Sequence, residues 1–163
     1  MTDPPSSHPK LERIARAVIE DNKYMTLATA DDAGRPWASP VYYTPEGHDV
    51  FYWVSSPDSV HSRNLAQRPE LSIVIFDSQA QIGAAEAVYM VAGADIVPDD
   101  ELERCAATYG SRYPELRVFR PDELQAPAEL RLYRAKVVEH SVLVRGGDPE
   151  FGRGVDTRFV VSL

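Results

Sequence analysis

The chain has 163 residues, 44% of them hydrophobic and 26% charged, which is the make-up of one soluble globular domain able to bury a core of its own. Seventeen Lys plus Arg stand against 25 Asp plus Glu, a net charge of −8, and that balance argues against nucleic-acid binding, which needs a basic face to neutralise phosphates. The longest apolar run, Ala87–Ala94, is far too short for a membrane span.

Residues 1–8 are polar and Pro-rich and read as a flexible tail, leaving 9–163 as a single domain. Pro9 opens a helical pattern, with Ser7 as its cap and Leu11, Ile14, Ala15 and Val18 on one face. Tyr24–Ala30 alternates and is rich in β-formers, Asp31–Gly34 is a turn, Pro36–Thr44 is a second strand and Pro45–His48 a second turn. Asp49–Ser55, with its aromatic run Phe51-Tyr52-Trp53, completes a three-stranded meander. A helix then starts at Pro57-Asp58-Ser59 with Val60, Leu65 and Ala66 as its apolar side. Leu71–Asp77 and Glu86–Val97 read as strands separated by an irregular connector. Pro98-Asp99-Asp100-Glu101 reads as the acidic first turn of a helix that runs to about Tyr113. A short turn near Pro121, a strand over Leu130–Leu143 bent near His140, and a strand over Thr157–Leu163 finish the chain. Mostly sequential antiparallel strands with three helices predict a mainly β fold, a small barrel with flanking helices.

No standard catalytic pattern is present, so no side chain is marked as an acid, base or nucleophile. One cysteine, Cys105, rules out an intrachain disulfide, and four scattered histidines lack metal-ligand spacing, so no metal site is expected. With no signal-peptide pattern at the N-terminus, the expected location is the cytoplasm. The informative segment is Ser55–Leu65, which leaves the aromatic strand and enters a helix through several hydroxyls, with His61 and Arg63 just inside. Free backbone N–H groups, hydroxyl donors and a guanidinium suit a phosphate. The same residues also fit a plain helix cap with an exposed histidine and arginine, and on composition alone that choice stays open. Strand alternation puts Phe51, Trp53 and Ser55 on one side, so Trp53 and Ser55 are expected to face this corner together.

In order along the chain, Leu27-Ala28-Thr29-Ala30, Gly34-Arg35-Pro36, Ser39-Pro40-Val41, the aromatic strand, Ser59-x-His61-x-Arg63-Asn64-Leu65 and the strand ending at Asp77 resemble the flavin-binding split β-barrel proteins related to pyridoxamine 5′-phosphate oxidase. The resemblance covers residues 10–145 at least, with Val88–Ala94 and Leu130–Ala135 fitting as later strands. It implies a six-stranded antiparallel split barrel of the FMN-binding type and a homodimer with a flavin in each interface cleft. Carried over by position, Ser39, Pro40 and Val41 would run along the flavin ring and Val54, Ser55 and Ser56 would line its ribityl side. Ser59, His61 and Arg63 would address the phosphate, and Glu86–Tyr89 or the connector before it would approach from the partner. The oxidases carry an arginine and a lysine where this chain has Ser39 and Thr44, and an Arg-Lys pair where it has Val60 and His61. They also carry a basic C-terminal substrate motif that is not evident here.

The function implied is an FMN-binding oxidoreductase acting on an unidentified small molecule. A deazaflavin-dependent reductase is one alternative, with Arg35, Arg63, Arg131, Arg153 and Arg158 as candidates for its anionic tail. The other is a non-enzymatic binding protein for a planar ligand such as haem, favoured by the missing lysines.

Overall fold

The computed structural model describes residues 8–163, and Ser7, the expected cap, lies outside the described residues. Helix α1 (Pro9–Asp21) starts on its proline and buries Leu11, Ala15, Val18 and Ile19 in the main core. His8, expected in the tail, packs its ring edge-on against Phe151 and Phe159, with centroids 5.5 and 6.2 Å away, and so belongs to the folded body.

Eight strands form one antiparallel sheet: β1 (Tyr24–Ala30), β2 (Pro36–Tyr42), β3 (Thr44–Glu46), β4 (Val50–Ser55), β5 (Glu70–Phe76), β6 (Ala87–Ile96), β7 (Arg131–Val144) and β8 (Thr157–Val161). The order is β2-β1-β5-β6-β7-β4-β3, with β8 added to β7. The first and last members of that order are joined in sequence through Tyr43 alone, so the sheet curls into a half-barrel that brings its two ends together. The predicted single strand over 36–44 breaks here. The Tyr43 N–H bonds the Lys23 carbonyl in step with the β1–β2 ladder, while its hydroxyl donates to the Ile19 carbonyl at 2.6 Å and anchors the buried ring, and the chain leaves β1 after this residue. Pro45 and Glu46 then belong to β3 rather than to the expected turn. Counted as one bent strand, β2 and β3 leave the six expected of a split barrel, with β8 beyond them.

Strand β4 is buried on both faces, as its aromatic run requires. Phe51 and Trp53 point into the main core, while Tyr52 lies under helix α3 (Leu102–Gly110) with Leu102, Cys105 and Ala106. Helix α3 is shorter than predicted: Pro98–Glu101 forms turns ahead of it, and Ser111 ends it. Strand β7 pairs with β4 through its first half and with β8 through its second. Between the halves Val138 is an unpaired bulge, since Ala92 faces Val137 and Val91 faces Glu139. That bulge lies two residues before His140, where the bend was expected.

Candidate functional site

Helix α2 (Val60–Gln67) is capped by Ser59, whose Oγ accepts from the Ser62 N–H. Its buried face is not the expected apolar side. Val60 is half-buried and Ala66 exposed, while His61, Ser62 and Asn64 are buried beside Leu65. A helix turns polar residues inward only where they find partners. Asn64 Nδ2 donates to Thr29 Oγ1 at 3.0 Å, and His61 enters a shell of hydroxyls from three different elements.

The His61 ring, 8% exposed, is the centre of that shell. Its Nδ1 lies 3.2 Å from Ser39 Oγ on β2, and its Nε2 lies 2.9 Å from Ser55 Oγ on β4 and 3.1 Å from Ser59 Oγ at the cap. Trp37 Nε1–H, which can only donate, gives its proton to Ser39 Oγ at 2.9 Å, and the Ser59 hydroxyl donates to Ser62 Oγ at 2.8 Å. Towards His61, then, Ser59 accepts, so Nε2 carries the proton and Nδ1 receives the Ser39 hydroxyl. Burial holds the imidazole below its ordinary pKa, and it is neutral near pH 7. In this wiring the hydroxyl proton of Ser55 is left without a partner in the cluster.

Of the residues singled out from the sequence, Ser39, Ser55, Ser59 and His61 meet at this corner. Val41 sits in the main core, and Val54 packs against the α3 cluster on the opposite face of β4. Ser56 caps the turn by accepting from the Asp58 N–H. Pro40 is exposed on the far face of β2. The Arg63 guanidinium is exposed and turned to the Asp58 carbonyl, at the edge of a 630 Å³ groove shared with Asp31, Arg35 and Val60. Trp53 does not face the corner as an open surface: it is fully buried and stacked on Tyr133 at 5.4 Å. Arg131, Arg153 and Arg158 are not gathered with Arg35 and Arg63. Arg131 bonds the Ala128 and Leu130 carbonyls, Arg153 lies over Phe159 and Arg158 over Tyr89. Sequence reasoning passed over Trp37 and Ser62 as members of the cluster. The signal for Trp37 was its place two residues before Ser39, on the same side of β2.

The model of the pyridoxamine 5′-phosphate oxidase family matches residues 11–141. The chain belongs to that family. No curated protein matches it in sequence. Among solved structures, the haem storage protein HutZ from Vibrio cholerae is 26% identical with a TM-score of 0.65, covering 83% of this chain and 95% of that one. A haem-binding protein from Mycobacterium smegmatis is 22% identical with a TM-score of 0.69, over 94% of this chain and 59% of the longer relative. An FAD-binding protein from Mesorhizobium loti is 20% identical with a TM-score of 0.63, over 80% and 90% of the two chains. No described helix is long and apolar enough to cross a membrane.

The donor set fits the anionic end of a flavin. In this wiring Ser55 offers a free hydroxyl and Arg63 a guanidinium at the rim, and both are groups that bind a phosphate monoester.

Proposed function

We propose that this protein is a flavin-dependent oxidoreductase that binds FMN in a cleft completed by a second copy of the chain. The observation that carries the reading is the convergence of Ser39, Ser55 and Ser59 on His61, from β2, β4 and the start of α2. These residues and Arg63 would hold the phosphate. The bound flavin supplies hydride or electron transfer, and the protein supplies orientation, electrostatics and exclusion of water.

A second copy is supported by the outer face of the sheet. In register across β2, β1, β5 and β6, Pro40, Thr26, Val74 and Tyr89 form one row and Ala38, Ala28, Ser72 and Val91 the next. Most are small or apolar, and several are exposed. A sheet face of mostly small and uncharged residues left exposed is suited to association.

The test is a titration of the purified protein with FMN, followed by flavin fluorescence and absorption. Saturable quenching at micromolar FMN is expected. Non-enzymatic haem binding is the competing reading, favoured by a corner whose histidine is neutral and whose arginine is turned aside. A protein indifferent to FMN that shifts the absorption band of added haem would establish it instead.

A further inference from the structure

The corner carries no permanent charge of its own, yet its histidine is set in a shell that tolerates either protonation state. The charged and titratable groups around it are few. Arg63 lies on its own helix and Asp58 in the turn before the cap, with the arginine bonded to the Asp58 carbonyl. Strands β2 and β4 present Trp37, Ser39 and Ser55, none of which carries charge. From β7 come Tyr133 and Arg131, the latter opposite Ser55 in register and bonded to the Ala128 and Leu130 carbonyls. From β6 comes Asp95, which is ion-paired with Arg134. From β1 comes Thr29, bonded to Asn64. Neither ring nitrogen of His61 has a carboxylate partner, and both have hydroxyl oxygens.

A hydroxyl oxygen accepts as readily as it donates. If His61 Nδ1 takes up a proton, it can donate to Ser39 Oγ, which still accepts from Trp37 Nε1. The Ser39 hydroxyl proton is then released, like that of Ser55. One proton from solvent thus adds a N–H bond at Nδ1, gives the corner a positive charge and frees a second hydroxyl donor, with both ring nitrogens and the Trp37 N–H still paired.

We infer that His61 is the cation of this site and becomes one on binding: a phosphate monoester dianion settling against Ser55 and Ser39 draws a proton from solvent onto Nδ1. The inference rests on the flavin reading above and makes His61 the cation inside the corner, with the Arg63 guanidinium at its rim. The relation is reciprocal, so a ligand that raises proton affinity binds more tightly as pH falls.

The test compares FMN with riboflavin, which lacks the phosphate, by calorimetric titration near pH 7 in two buffers of different ionisation enthalpy. FMN is expected to bring in at least roughly half a proton more with the native chain than with His61→Gln, and riboflavin is expected to bring in none. The imidazole nitrogens of the native protein, read by long-range 1H–15N NMR, are expected to change from one protonated nitrogen to two when FMN binds. That measurement needs no variant. FMN binding that leaves the ring neutral overturns the inference while leaving the flavin reading intact. If neither flavin binds, both fall.

Discussion

The Arg112 guanidinium lies 4.4 Å from the centroid of the Tyr43 ring and reaches past it to the end of α1. It donates to the carbonyls of Tyr43, Ile19, Glu20 and Asn22 at 2.6 to 3.0 Å. One side chain therefore closes the C-terminus of a helix and pins the residue that joins the two ends of the sheet. Arg112→Ala is expected to destabilise the fold by about 2–4 kcal/mol, because charge-assisted bonds to part-buried carbonyls are each worth about 1.5–3 kcal/mol. Urea unfolding measures it, and a loss below about 1 kcal/mol would mean that water replaces the guanidinium without cost.

How much of this was legible in advance differs from residue to residue. The strands were readable because Leu27, Ile73 and Met90 alternate with outward residues, and α1 because Leu11, Ala15 and Val18 recur at helical spacing. The break at Tyr43 was not, since Arg112 and the Ile19 carbonyl that hold it are far away in sequence. The buried face of α2 was misread for a similar reason: His61 and Asn64 face inward because Ser39, Ser55 and Thr29 await them on other strands. Periodicity reports apolar faces and is silent about polar groups that pair at a distance.

Trp53 offers a check on the core. Its Nε1–H is buried without a hydrogen-bond partner, although the ring stacks on Tyr133. An unsatisfied buried donor costs about 1–3 kcal/mol, which offsets most of the packing lost on trimming the indole. Trp53→Phe is expected to change stability by less than about 1 kcal/mol, against about 3–5 kcal/mol for Trp53→Ala. A Phe variant as damaging as the Ala variant would show that the indole N–H is not an uncompensated cost to the fold.

Both buried histidines, His61 and His140, are pushed below their ordinary pKa by desolvation. Above about pH 6.5 each is neutral folded and unfolded, and stability does not depend on them. As pH falls below that value the unfolded chain takes up protons that the folded chain refuses, so stability declines until the folded pKa values are reached. Each contributes a slope of at most about 1.4 kcal/mol per pH unit. Melting temperature is expected to drop between about pH 6.5 and 5, and less steeply in a His61→Gln, His140→Gln double variant. Equal slopes would place the acid sensitivity in the carboxylates.

The outer sheet face predicts a native sedimentation mass of twice the 18.2 kDa chain. Val91, 46% exposed, ends the second row of that face on β6. Val91→Glu has room for its carboxylate in a monomer and would bury it in a dimer, so the variant is expected to sediment as a folded monomer. A variant that remains dimeric would move the interface to another surface.

The bulge at Val138 sets a rule about length. Before it, Tyr133 and Ala135 face the main core; after it, Val142 and Val144 do, so the inward positions change from odd to even. Val138 itself is 78% exposed, so its chemistry is free to vary. Its presence is not. Removing this one residue would turn the following half of β7 inside out, sending Val142 and Val144 to water and Leu143 to the core. Position 138 is therefore a spacer whose side chain can be exchanged almost at will but whose peptide unit the chain must keep.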